Sequence, residues 1–161
     1  MSVCSRAVRT TDQLTDRFRS SGRKVTPQRQ RIFSALEGDE RHPSAEMVYD
    51  VVRVDMATIS LKTVYQTLNE LAEMGEIAAL DLGTGTVRFD PNVESPHHHL
   101  VCWSCGKVRD LFVSIEGLQV DPTEALGYDV RSAEVVFRGL CEICRHRSTS
   151  IPNKQEEECP H

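Results

Sequence analysis

No stretch of the chain approaches the run of about 18 apolar residues that a membrane-spanning helix needs. The opening residues, MSVCSRAVRTTDQL, also lack the apolar segment of a secretion signal. The expected setting is therefore the cytoplasm, with no membrane partner. Internal repeats and low-complexity tracts are missing too, which sets aside solenoids and flexible spacers. Neither HExxH nor HxE…PCxxC occurs, so the usual signatures of zinc-dependent hydrolases and deaminases are absent. A zinc-dependent enzyme, which needs a general base beside an open metal position, is the remote alternative, and no enzyme activity is expected. What remains is a 161-residue chain with 39% hydrophobic residues, enough to bury the core of one medium domain or two small ones.

The formal net charge of −5 speaks against nucleic acid as a partner, but its distribution speaks for it. Up to Arg31 there are eight basic residues, Arg6, Arg9, Arg17, Arg19, Arg23, Lys24, Arg29 and Arg31, against Asp12 and Asp16. A basic arm on an acidic protein is an electrostatic footprint for DNA, or else an ordinary solvated helix face.

Four helices are expected in the first half. DQLTDRFRSSG places Leu14 and Phe18 four apart and stops at Gly22. TPQRQRIFSALE has Thr26 to cap, Pro27 at the first helical position, and Ile32, Phe33 and Leu36 on one face. HPSAEMVYDVVRVD offers Ser44 as a cap and Val48, Val51 and Val52 as a buried stripe. SLKTVYQTLNELAEMG opens on Ser60 and closes at Gly75, with Leu61, Val64, Leu68, Leu71 and Met74 at helical spacing. EIAALDL and TVRFD, joined through Gly83-Thr84-Gly85, read as a hairpin. Helices followed by a hairpin describe a winged helix.

PNVESP, residues 91–96, has the composition of a hinge. Beyond it, HLVC, VRDLF and AEVVFRGLC read as short strands, with a helix expected between Ser114 and Leu126. The fold class is thus α/β in the α+β sense. Residues 1–91 are a winged-helix unit, 92–148 a small α/β unit, and 149–161 a tail; most residues after Arg145 are expected to be disordered.

Four of the six cysteines form two CxxC pairs, Cys102 with Cys105 and Cys141 with Cys144, each at the end of a strand-like run. Each such turn presents two sulfurs to one point, so the pairs suit a tetrahedral thiolate site for zinc. Four thiolates leave no open coordination position, which makes the site a structural staple. Reduced core cysteines, disulfides, and a redox CxxC are the alternatives; for the last, neither pair is expected to open a helix after a strand. In SPHHHLVC, residues two apart on a strand share a face, so His97 and His99 point one way and His98 the other. Should the hinge fold back, His42, Asp90 and Asp110 can join them in a nitrogen and oxygen site suited to Fe(II), Mn(II) or Zn(II). On spacing alone, surface histidines are the blander reading.

GRKVTPQRQRI, RHPSAEMVY, ISLKTVYQTLNELAEMGEI, VRFD, HHHLVCWSCGKVRDL and GLCEIC, taken together and in this order, resemble the ferric uptake regulator family of dimeric, metal-dependent bacterial transcription factors, over about Gly22 to Cys144. The resemblance implies an N-terminal winged-helix DNA-binding domain and a C-terminal dimerisation domain. It implies structural Zn(II) on Cys102, Cys105, Cys141 and Cys144, and regulatory Fe(II) or Mn(II) on His42, Asp90, His97, His99 and Asp110. The partner implied is palindromic double-stranded operator DNA bound by a homodimer. The fourth helix would enter the major groove with Ser60, Lys62, Thr63, Tyr65 and Gln66, supported by Lys24 and Arg29.

Within the family, iron-uptake regulators typically carry glutamate at the two carboxylate positions and peroxide-sensing repressors carry aspartate. Asp90 and Asp110 make this chain resemble a peroxide-responsive repressor, in which Fe(II) reduces hydrogen peroxide and a ligand imidazole, His42 or His97, is oxidised. An iron-uptake or zinc-uptake regulator of the same family is the alternative. Three positions depart from the family pattern. Lys24 stands where arginine is usual, offering charge to the minor groove without arginine's planar fork. Pro96 and Ala133 stand where many members have histidines of a further site, so that site is not expected. Cys4, Cys159 and His161 have no assignment.

Overall fold

The computed structural model describes residues 9–115, 120–121, 123–130 and 133–149. Four helices come first: α1 (Thr11–Ser20), α2 (Pro27–Leu36), α3 (Ala45–Val52) and α4 (Leu61–Glu73). Each begins at a side-chain cap that satisfies an otherwise orphaned N–H. Thr10 and Gln13 form a reciprocal capping box on α1. Thr26, Ser44 and Ser60 accept from the backbone of Arg29, Met47 and Thr63 respectively.

The faces that these caps aim inward make one core, in which Phe18, Phe33, Leu68 and Leu71 are fully buried and the Phe18 and Phe33 rings lie 5.4 Å apart. On α3 the buried stripe is Ala45, Val48 and Val52, whereas Val51, expected inside, is 40% exposed. A helix turns 100° per residue, and the face set by positions 45, 48 and 52 leaves position 51 at its edge.

The hairpin follows as β1 (Ala78–Leu80) and β2 (Arg88–Asp90), antiparallel with Ala79 opposite Phe89, and Phe89 closes the helical core. The second half is a three-stranded sheet in the order β4-β3-β5, made of β3 (His98–Cys102), β4 (Val108–Leu111) and β5 (Val136–Gly139). β3 pairs antiparallel with β4, placing His99 opposite Asp110, and parallel with β5. A smaller core of Leu82, Val101 and Val108 joins the wing loop to this sheet. Two arginines cross the same boundary: Arg88 donates to the Gly106 carbonyl at 2.9 Å and Arg138 to that of Leu82 at 2.8 Å.

Two expectations for the second half need correction. The described residues between Ser114 and Leu126 contain no helix. Instead, Asp121 accepts from the backbone N–H of Thr123, Glu124 and Ala125 in a tight turn, and Leu126 and Gly127 both have positive φ, which stops helical propagation. Conversely, α5 (Glu142–Thr149) occupies the start of the stretch expected to be disordered. It comes directly after β5, so the second CxxC does open a helix after a strand. The remainder of the expected tail, with Cys159 and His161, lies outside the described residues, as does Cys4. Among the described residues, no helix is long and apolar enough to cross a membrane.

Candidate functional site

The four CxxC sulfurs come together, all within 4.8 Å of one another. Cys102 ends β3, and Cys105 lies in the next turn, closed by the Gly106 N–H on the Cys102 carbonyl at 2.9 Å. Cys141 sits just past β5, and Cys144 lies in the first turn of α5. The Cys105 and Cys141 sulfurs are 3.8 Å apart. A disulfide needs about 2.05 Å, whereas four sulfurs at about 2.3 Å from a tetrahedral ion stand about 3.8 Å from each other. None of the four is in a disulfide, so the geometry fits a zinc ion rather than a disulfide framework. Backbone N–H groups of Cys141, Cys105 and Ser104 point at the Cys102 sulfur and lower its pKa to about 6, favouring the thiolate a metal requires.

The second cluster sits between the helical half and the three-stranded sheet. His42 reaches it from the loop before α3, with φ at 51°, in the left-handed region that costs a non-glycine residue about 1–3 kcal/mol. The N–H of Phe89 donates to the Pro43 carbonyl at 3.0 Å and so brings the end of β2, with Asp90, beside His42. His97 and His99 come from the start of β3 and Asp110 from β4. His98 turns away, its Nδ1 accepting from the Val135 N–H at 3.3 Å.

One ligand atom from each of His42, Asp90, His97 and His99 falls within 4.8 Å of the others. The fifth residue, Asp110, lies against this group, its Oδ1 at 2.9 Å from His42 Nε2 and 3.8 Å from His97 Nε2. His97 Nε2 is 2.9 Å from Asp90 Oδ2, and His42 Nε2 is 3.4 Å from Asp90 Oδ1. All five side chains are at most 7% exposed. Both ring nitrogens of His42 and Oδ1 of Asp110 are buried without a hydrogen-bond partner of acceptable geometry among the described residues.

Tautomers explain the arrangement. His97 Nδ1 is 2.8 Å from the Ser95 carbonyl, which can only accept, and His99 Nδ1 is 2.6 Å from a Glu134 carboxylate oxygen. A hydrogen therefore sits on Nδ1 in both rings, which in the neutral imidazoles turns the Nε2 lone pairs into the cluster, the two Nε2 atoms lying 3.2 Å apart beside the Asp90 carboxylate. Such a convergence of acceptors needs a cation, and nitrogen with carboxylate oxygen is the donor set of Fe(II), Mn(II) or Zn(II).

The electrostatics agree with that demand. Burial disfavours charge on His42, but the adjacent Asp110 and Asp90 carboxylates outweigh it and raise its pKa to about 9. Burial likewise works against the charge of Asp90, yet His42 and the Asn92 backbone N–H hold its pKa well below the carboxylate range.

Sequence reasoning missed the supporting residues. Asn92 is buried, not a solvated hinge position: its N–H donates to Asp90 Oδ1 at 2.8 Å and its Nδ2 to Asp110 Oδ2 at 3.2 Å. Asp90-Pro91-Asn92 carried a turn signal that could have pointed to it. Glu134 had no such local signal.

On the face considered for DNA, Ser60, Lys62 and Gln66 of α4 are exposed, Thr63 is half-buried, and Tyr65 is 37% exposed. The Tyr65 hydroxyl donates to Glu46, and Gln66 Nε2 donates to Glu70 at 2.9 Å. The basic arm is less free than its composition suggests. Arg29 pairs with Glu70 at 2.8 Å and lies over the Phe18 ring, Arg9 and Arg17 pair with Glu76, and Arg23 and Arg31 pair with Glu70 and Asp55. Arg19 has Asp16, so Lys24 alone in the arm lacks an acidic partner among the described residues.

A family model described as Ferric uptake regulator family matches residues 20–138. The ferric uptake regulation protein of Bacillus subtilis (strain 168) is 35% identical over 146 residues, covering 86% of this chain and 96% of its own length. The peroxide-responsive repressor PerR of Staphylococcus saprophyticus is 31% identical over 141 residues, covering 84% of this chain and 91% of its own. Among solved structures, the ferric uptake regulator from Francisella tularensis with iron superposes with a TM-score of 0.66 at 29% identity, over 77% of this chain and 96% of that one. A zinc-bound manganese uptake regulator gives 0.63 at 30%, over 83% and 99%.

Proposed function

The chain belongs to the ferric uptake regulator family, and from that premise we propose that it is a dimeric, metal-dependent transcriptional repressor that releases operator DNA in response to hydrogen peroxide. Residues 1–91 bind DNA and 92–148 dimerise. Cys102, Cys105, Cys141 and Cys144 hold structural zinc, and His42, Asp90, His97, His99 and Asp110 hold regulatory Fe(II) or Mn(II). Such a repressor works in the cytoplasm, where its thiols stay reduced.

The observation that carries this reading is the buried convergence of five donor side chains from both halves of the chain, with the Nε2 atoms of His97 and His99 3.2 Å apart. His42 and Asp90 belong to the helical half, His97, His99 and Asp110 to the sheet. When they share one ion, they hold the recognition helix α4 at a fixed angle to the dimerising sheet, and so match two helices to two half-sites. Fe(II) held there would let hydrogen peroxide act as a two-electron oxidant beside His42 and His97, one of its oxygen atoms passing to an imidazole carbon and the other leaving as water, chemistry that Mn(II) would not supply. An imidazole that gains oxygen is a poorer ligand, and the clamp between the halves then loosens. Asp90 and Asp110, rather than glutamates, support peroxide as the signal. The second reading, an iron-uptake regulator, is favoured by the 35% identity to the Bacillus subtilis ferric uptake regulation protein.

Selection from a random duplex pool by the Mn(II)-loaded protein tests the shared part of both readings. Enrichment of an inverted repeat, with binding abolished by chelation, is expected. Failure to enrich any sequence contradicts it.

A further inference from the structure

The geometry points to Glu134 as the positioning residue that fixes the ring of His99 and sets how strongly the buried histidine-aspartate centre holds a divalent metal. This rests on the reading of that centre as a metal site.

The argument starts from the segment just before β5, which lies along β3. The His99 N–H donates to the Val135 carbonyl at 3.2 Å, the Val135 N–H donates to His98 Nδ1 at 3.3 Å, and His99 Nδ1 donates to Glu134 Oε1 at 2.6 Å. One dipeptide therefore orients two successive imidazoles, His98 outward and His99 inward. With its hydrogen held on Nδ1, His99 keeps the Nε2 lone pair toward Asp90 Oδ2, at 3.7 Å, and toward His97.

His97 obtains the same tautomer from a neutral backbone carbonyl, that of Ser95. The two rings thus differ in one respect. A carboxylate on the far nitrogen polarises an imidazole more than a carbonyl does and makes it the stronger ligand. Glu134 is 47% exposed where His99 is 3% exposed. It reaches in from the surface, so it can be replaced without opening the core.

The test uses zinc-containing protein, first free of added metal and then titrated with Mn(II) alone. Long-range proton–nitrogen-15 correlation should show His99 as a single Nδ1–H tautomer in the parent and in Glu134→Gln, whose amide oxygen still accepts. Glu134→Ala should give a tautomer mixture at His99 and leave His97 unchanged. Mn(II) affinity should fall about 10–100-fold in Glu134→Ala, with Glu134→Gln between it and the parent. If the alanine variant does not fold, Glu134→Asp, which withdraws the carboxylate by one methylene, carries the same comparison. A His99 tautomer unaltered by these substitutions overturns the proposal, and so does an altered tautomer with unaltered Mn(II) affinity. If the parent itself takes up no Mn(II), the metal reading of the centre fails, and an unaltered or altered His99 tautomer still decides whether Glu134 positions the ring.

Discussion

His97 Nε2 and His99 Nε2 lie 3.2 Å apart, each with its other ring nitrogen committed to an acceptor outside the cluster. Two lone pairs at this separation repel unless a positive charge lies beside them. In the metal-free protein His42 carries positive charge beside them, its pKa raised to about 9 between Asp110 and Asp90.

This competition makes metal binding depend on pH. Below pH 9, His42 must lose its proton before it can coordinate, so Mn(II) affinity should climb by up to about tenfold per pH unit toward pH 9. Calorimetric titration at several pH values between 6.5 and 8.5 checks it, and a flat profile contradicts it. The stability of the metal-free protein should run the other way. The folded pKa lies above the unfolded value near 6.5, so the His42 contribution is complete below about pH 6.5 and is lost as pH rises through about 9.

The thiolate cluster predicts a loss of assembly. Cys102→Ser or Cys141→Ser removes one of four sulfurs brought together from the end of β3, its adjoining turn and the start of α5, so zinc should leave and the proposed dimer should dissociate. Metal analysis with sedimentation reads both, and retention of one zinc per chain in either variant contradicts the staple.

Arg29 and Tyr65 should behave differently although both were expected at DNA. Arg29 spans α2 and α4 through Glu70 and covers Phe18. Arg29→Ala should therefore destabilise the fold by about 1–2 kcal/mol in thermal or urea unfolding. Tyr65→Ala should leave stability nearly unchanged and weaken specific binding more than non-specific binding. Equal losses on specific and random duplexes contradict base readout by Tyr65.

These cases show where a one-dimensional reading succeeds. The caps Thr26, Ser44 and Ser60, and the alternation that separates His98 from its neighbours, obey rules spanning four residues or fewer, and the structure has them as read. The partners of the basic arm do not, since Arg29 and Glu70 are 41 positions apart and nothing local announces the pairing. Glu134 was equally hidden, 35 positions from the histidine it touches. A helix was expected between Ser114 and Leu126, but among the described residues of that span Asp121 instead accepts in a tight turn and Leu126 is left-handed. The helix α5 was missed because its polar sequence has no apolar stripe; Cys144 in its first turn belongs to the sulfur cluster.

The proposal of peroxide as the signal rests on Asp90 and Asp110, one methylene shorter than glutamate, beside His42 and His97. Asp110→Glu should reduce peroxide sensitivity while metal-dependent DNA binding survives. The decisive measurement is mass spectrometry of the operator-bound protein before and after dilute hydrogen peroxide, with Fe(II) or Mn(II) as the only added metal. One oxygen atom gained on His42 or His97, together with release from DNA, in the Fe(II) protein and not in the Mn(II) protein, is the predicted result. An Fe(II) protein that stays on its operator with both histidines unmodified would contradict peroxide sensing and leave an iron-uptake or zinc-uptake regulator as the better description.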